Sequence, residues 1–254
     1  MDNENEVRNS AGFVEELLLT HPIAIDYFQG ELYSFGTAIP IEEIEVRGMA
    51  AGDLLLDAKT AGRLFLAPDG STIRSSLVRE QQEAPAGFEV FSNNIFVRED
   101  QQNGVIAYRD ARGDSLWLDA LYIHSLMLDE SAPERMGTVA FGLMAVTAAK
   151  LGFHRIGLFA AGHGPIDRDD PEAIYGYAVW PKFGFDAPVH PAELNGQTSR
   201  HLAHCTSVQE IMAIDPIWWE EHGTGREMDF HLDLESSSWT ILLNYVYNAM
   251  LEDE

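Results

Sequence analysis

Residues 116–159, LWLDALYIHSLMLDESAPERMGTVAFGLMAVTAAKLGFHRIGLF, decide the fold of this 254-residue chain. Nearly every position in 115–128 is apolar or aromatic, which is typical of a strand covered on both faces. The stretch 138–151 is apolar all round and predicts a buried helix that ends at Gly152. A second strand is predicted at 155–159. This order forms a β-α-β unit with parallel strands, so we expect an α/β fold with a mixed sheet.

The rest of the chain divides into three segments around this unit. The stretch 79–87 (REQQEAPAG) is the most linker-like and places a boundary near residue 85. Before it lies a 1–85 extension, in which 23–35 predicts a strand or hairpin and 51–66 a helix. Residues 86–190 form the predicted core, with further strands at 88–97 and 105–109. Residues 191–254 form a C-terminal α/β segment that completes or covers the sheet.

The composition excludes several classes of protein. With 41 Asp and Glu against 16 Lys and Arg, the net charge of −25 repels nucleic acid and anionic membranes. We therefore expect no nucleic-acid or membrane partner, and an amine-bearing small molecule or a basic protein as the partner; oligomeric state stays open. The single cysteine, Cys205, excludes an intrachain disulfide and favours a cytoplasmic location. The acidic stretch at Asp167 lacks the spacing of a calcium loop, so no metal is expected.

Two motifs inside the core carry a family resemblance. The first is ERMGTVA from Glu134 to Ala140, at the predicted entrance of the helix, where free backbone N–H groups bind phosphate. The second is VWPKFGF, residues 179–185. Together with the β-α-β order, they resemble the acetyl-CoA-binding half of GNAT-type N-acetyltransferases. The alternative for the first motif is structural: Ser131 and Glu134 form a capping box, which would place Gly137 inside the helix.

The resemblance implies a GNAT-like core over 86–190 and acyl transfer from acetyl-CoA, as co-substrate, to an amine by direct attack. It implies that the acyl-CoA site is formed by strand and helix-entry residues: Leu126, Leu128, Arg135, Met136, Gly137, Thr138, Val139 and Ala140. Glu134 and Val139 depart from the family pattern, which has a basic or amide residue and a small residue at these positions.

Two residues are candidates for proton transfer. An amine must lose a proton to attack a thioester, and His124 on the long strand is the candidate base. The resemblance places a proton-donating tyrosine at the position of Trp180, whose indole is no acid at neutral pH. Tyr177, one helical turn earlier, is the candidate acid, with Tyr175 as the neighbouring phenol. The alternatives are that His124 is a hydrogen-bonded core residue and that both tyrosines belong to an aromatic core stripe.

The departures from the family pattern at Glu134, Val139 and Trp180 also favour a second class of function. A GNAT-like acidic protein without catalysis would serve as a binding or neutralising partner of a basic protein.

Overall fold

The fold is mixed α/β. The computed structural model describes residues 3–80, 84–112, 116–167 and 173–251. In this part of the chain it shows eight helices, a seven-stranded mixed sheet and a two-stranded antiparallel sheet. The strands are β1 Tyr33–Ser34, β2 Glu43–Val46, β3 Leu54–Asp57, β4 Thr72–Val78, β5 Gly87–Asn93, β6 Asn103–Arg112, β7 Leu116–Ser125, β8 Arg155–His163 and β9 Thr224–His231. The helices are α1 Asn3–Thr20, α2 Pro22–Tyr27, α3 Ala58–Leu64, α4 Met136–Lys150, α5 Gly176–Val179, α6 Val208–Ile214, α7 Pro216–His222 and α8 Ser237–Leu251.

The large sheet has the strand order β1-β4-β5-β6-β7-β8-β9. Strands β4 to β7 are antiparallel neighbours, as short connections allow. Strands β7 and β8 are parallel because α4 crosses over between them, and β9 closes the far edge antiparallel to β8. The predicted β-α-β unit and mixed sheet are therefore confirmed.

Helix α4 lies in the core. Eleven of its residues are buried, which its small and apolar sequence permits. Phe141 is fully buried, and its ring lies 5.1–5.9 Å from the rings of Trp180, Phe183, Phe185 and Phe230. The helix is followed by Gly152 with φ 84°, the left-handed conformation that ends helices and favours glycine.

The N-terminal segment differs from its prediction. Residues 23–35 contain the short predicted strand β1 at Tyr33–Ser34, but they begin with helix α2, because Pro22 occupies its first turn and the His21 side chain accepts the Ile23 N–H. Residues 51–66 contain β3 and then α3, not one helix. The Asp57 carboxylate accepts the Thr60 N–H at 2.7 Å and fixes the helix start at Ala58.

The predicted boundary near residue 85 lies in a connection between two paired strands. Strand β4 pairs with β5 along its whole length, with Thr72 opposite Asn93 at one end and Val78 opposite Gly87 at the other. The segment 1–85 therefore contributes β1 and β4 to the same sheet as the predicted core. One hydrophobic core contains buried residues from all three predicted segments. In the C-terminal segment, β9 forms the sheet edge and α8 packs against α1 and α4. Residues 168–172, which follow Asp167, lie outside the described part.

Candidate active site

The candidate site is a cavity of about 550 Å³ at the end of the paired region of β7 and β8. In the paired region, Ala120 of β7 lies opposite Arg155 of β8, and Ile123 lies opposite Leu158 at its end. Both strands continue beyond this last pair. A β-bulge bends β7 at this point: Ile123 lies opposite Val105 and Ser125 opposite Gly104, which leaves His124 as the extra residue. Bulges of this kind redirect a side chain and often lie beside active sites.

The backbone that follows β7 presents two unused donors to this cavity. The Met127 N–H donates to Asn103 Oδ1 at 2.9 Å, and its carbonyl accepts the Arg98 N–H at 3.1 Å. Leu126 and Leu128 line the cavity, and among the described residues their N–H groups have no hydrogen-bond partner. Both residues are partly exposed at the cavity, so these two N–H groups are available to a ligand.

The entrance of α4 supplies two more donors. The helix begins at Met136, with Arg135 as N-cap in the left-handed region at φ 67°. Met136 donates to the Pro133 carbonyl and Val139 to that of Arg135. Gly137 and Thr138 line the cavity, and within the described chain their N–H groups find no acceptor.

The capping-box alternative for this segment is wrong. Ser131 is not the N-cap, and its own N–H donates to the Asp129 carboxylate at 2.9 Å. The chain turns at Asp129 and again at Pro133 before the helix begins. Gly137 is therefore the second residue of the helix, where its N–H group is free.

The charge of the cavity is opposite to that of the chain. Arg98 and Arg135 line it, and none of the described lining residues is Asp or Glu. The sequence has 41 Asp and Glu residues among 254, so a cavity wall of this size without an acidic side chain is unusual for this chain. Two guanidinium groups and the positive end of a helix favour an anionic ligand.

Three of the predicted binding residues do not reach the cavity. Met136, Val139 and Ala140 are buried in the core, because the helical period turns them away from the side that carries Gly137. The structure brings the other five predicted binding residues together on the cavity wall: Leu126, Leu128, Arg135, Gly137 and Thr138.

His124 lies on the cavity wall and contacts a carboxylate. Its Nδ1 is 2.8 Å from Glu89 Oε1, and its side chain is 37% exposed whereas that of Glu89 is 5% exposed. The ring also lies 6.2 Å from that of Phe91. Sequence reasoning missed Glu89; the available signal was a single acid inside the apolar strand Phe88–Phe91.

Tyr177 does not line the cavity, which corrects its prediction as the acid. It is fully buried, its hydroxyl donates to the Glu220 carbonyl at 2.6 Å, and burial raises the pKa of Tyr177. The helical-turn spacing assumed for Tyr177 and Trp180 fails because α5 is only four residues long and passes into a 3-10 helix at Trp180. Tyr177 is a buried aromatic core residue, as the alternative interpretation predicted.

Three other tyrosines line the cavity, Tyr122, Tyr175 and Tyr245, and the Tyr122 hydroxyl donates to Glu227 Oε1. Tyr175, which precedes α5, is half exposed there, and Tyr245 reaches it from α8. The Tyr245 ring packs 4.7 Å from that of Phe183. No motif in the sequence pointed to Tyr245, because the helix that carries it is distant in the chain and joins the site only through packing.

Comparisons of this chain with protein-family models, with curated proteins and with solved structures found no match of any of the three kinds. None of the helices in the described part of the chain combines the length and apolar character that a membrane crossing requires.

Proposed function

We propose that this protein is an acyl-CoA-dependent N-acyltransferase with a GNAT-like core over 86–190. One observation carries the proposal: in a chain of net charge −25, a cavity is lined by two arginines, by no described carboxylate and by four residues whose backbone N–H groups have no partner among the described residues. The donors at Gly137 and Thr138 suit a diphosphate at a helix N-terminus. Those at Leu126 and Leu128 suit the amide and carbonyl groups of an extended acyl-pantetheine arm.

The size and shape of the cavity support the same ligand. Its volume of about 550 Å³ is in the range of sites for extended small molecules. It lies where the pairing of the parallel strands β7 and β8 ends, and both Gly137 at the start of α4 and His124 line it, so one extended ligand would contact both. Arg98 and Arg135 would neutralise the phosphates, and the aromatic residues Phe159 and Trp180 also line the cavity.

The reaction is a direct attack. The amine nitrogen forms a bond to the thioester carbonyl carbon, and the carbon–sulfur bond breaks. His124 Nε2 accepts the proton that the amine loses, and Tyr175 supplies a proton to the departing thiolate, so the products are an N-acyl amine and the free thiol of coenzyme A. A backbone N–H of the β7 extension, aimed at the carbonyl oxygen, would stabilise the charge that develops there.

Calorimetric titration with acetyl-CoA tests the binding step. We expect saturable heat with the wild-type chain and none with Gly137→Trp, whose indole would occupy the space beside the free N–H groups. A thiol-release assay with a panel of primary amines, polyamines and basic peptides then tests transfer, with His124→Gln as the variant impaired in chemistry. Absence of heat from folded wild-type protein at millimolar acetyl-CoA would remove the proposal.

A second candidate is a non-catalytic partner of a basic protein. The net charge of −25 and the tryptophan at position 180, in place of the family's tyrosine, favour it. Electrostatic capture is screened by salt, so a basic protein retained at low ionic strength and released near 1 M salt supports this function. Coenzyme A carried through purification and detected by mass spectrometry supports the transferase instead. A cytoplasmic location remains a prediction under either function.

A further inference from the structure

Glu89 is a buried carboxylate placed under the cavity wall. It lies on β5, paired with Ile106 of β6, which in turn pairs with Tyr122 of β7. From there its Oε1 reaches His124 Nδ1 at 2.8 Å. A buried carboxylate is costly unless a partner compensates it, and the imidazole of His124 is the partner the structure provides.

We infer that Glu89 is the positioning residue for His124, holding it in the tautomer that acts as a base; this rests on the proposed function. An ionised carboxylate only accepts hydrogen bonds, so His124 Nδ1 must carry the hydrogen and donate it. Nε2 is then the unprotonated nitrogen. Among the described residues Nε2 has no hydrogen-bond partner, and its ring lines the cavity.

Among the described residues around His124, Glu89 is the one that hydrogen-bonds to its imidazole and so sets its tautomer. The Phe91 ring lies 6.2 Å from that of His124, and the Arg74 guanidinium lies over the Phe91 ring, 5.0 Å from its centroid. The neighbouring Tyr122 hydroxyl donates to Glu227 Oε1 at 3.1 Å and so points along the sheet toward β9. Tyr122 is in line with Ile106 and Glu89 across the three strands, and His124, two residues further along β7, is on the same face of the sheet as Tyr122, which brings its Nδ1 to Glu89.

The test compares Glu89→Gln with Asp119→Asn in the full chain. Glutamine keeps the shape of Glu89, but its amide can donate as well as accept, so it no longer selects one tautomer. Asp119 is the matched control: it is a buried carboxylate on β7 itself, and it accepts the N–H groups of Ala50 and Ala51 without touching His124. Each variant removes one negative charge from the sheet, and circular dichroism checks that both are folded at the assay temperature.

Two readouts are recorded. The first is the tautomer of His124, from ¹⁵N chemical shifts and ¹⁵N–¹H couplings of histidine-labelled protein, with its signals assigned by their loss in His124→Gln. We expect the Nδ1–H form in the wild type and in Asp119→Asn, and a mixture in Glu89→Gln. The second is turnover: Glu89→Gln should lower kcat about 100-fold with KM for acetyl-CoA unchanged, since a base held in the wrong tautomer fails in the chemical step alone.

The two readouts separate this inference from the proposed function. A His124 tautomer that is the same in Glu89→Gln as in the wild type would overturn the inference, as would an unchanged kcat. No turnover by the wild type with any amine would instead overturn the proposed function, and the tautomer measurement would still report whether Glu89 controls His124.

Discussion

Gly137 should show opposite effects on stability and on binding when it is replaced by alanine. The residue lies in the first turn of α4 with ordinary helical geometry, and a Cβ there would meet only Leu128 Cδ1, at 3.3 Å. Replacing a helical glycine by alanine gains about 0.5–1 kcal/mol, and the terminal position and the contact with Leu128 reduce this gain. We expect a free energy of unfolding higher by roughly 0.5 kcal/mol, or a melting temperature about 1–2 °C higher.

The same methyl group should weaken binding, because it occupies space at the free N–H groups of Gly137 and Thr138. Gly137→Asp should weaken binding further, because it adds a negative charge beside the phosphates. A carboxylate roughly 5 Å from a phosphate costs about 3 kcal/mol at an effective dielectric constant near 20. We therefore expect at least a 100-fold loss of affinity for coenzyme A, although aspartate is favourable in the first turn of a helix.

Gly152→Ala is the matched control at the other end of α4. Its φ of 84° strains any side chain, although nothing lies within 4 Å of the new Cβ. This variant should lose about 1 kcal/mol of stability and bind coenzyme A like the wild type. Thermal melts and calorimetric titration of the three variants give both quantities. Wild-type affinity in folded Gly137→Asp would refute the reasoning, because the ligand would then not use the entrance of α4.

Substitutions at Arg98, Phe141 and Asp57 test other parts of the molecule. Arg98→Gln should weaken coenzyme A binding about tenfold in low salt without lowering the melting temperature, because the guanidinium has no hydrogen-bond partner among the described residues; equal binding by calorimetry would exclude Arg98 from the site. Phe141→Ala should cost about 3–5 kcal/mol in urea denaturation, since it removes the centre of the aromatic cluster; a loss below about 1 kcal/mol would contradict that packing. The Thr60 N–H holds the pKa of Asp57 below its usual range, so its stabilisation is present at neutral pH and lost as the pH falls below about 4. The difference in melting temperature between wild type and Asp57→Asn should therefore shrink from pH 7 to pH 3, and a constant difference would show that the cap does not depend on charge.

The core of the fold was predictable because each of its elements carries a strong local signal. The apolar residues of β7 and α4 and the glycine after α4 specify a β-α-β unit without tertiary information. The N-terminal segment was harder, because Leu54–Asp57 is continuous with a helical pattern. Its pairing with β2, which lies earlier in the chain, makes it a strand. Tertiary pairing there overrides local preference.

The parts of the site that were predictable are the end of the long strand, with His124, and the entrance of the helix that follows it. The position of Gly137 after a buried strand pointed to the helix entrance, although the capping signal at Ser131 competed with it. Glu89 could not be linked to His124 from spacing, since their contact depends on the register of three strands. Tyr177 was misplaced because α5 is too short to keep helical periodicity as far as Trp180.

The central claim is that four backbone N–H groups around one basic cavity bind an acyl-CoA. A titration of ¹⁵N-labelled protein with coenzyme A, followed by ¹H–¹⁵N correlation spectra, tests it most directly. We expect the largest shifts, saturating together, in the amide signals of Leu126, Leu128, Gly137 and Thr138. Saturating binding that leaves these four signals in place, or no binding at millimolar ligand, would contradict it.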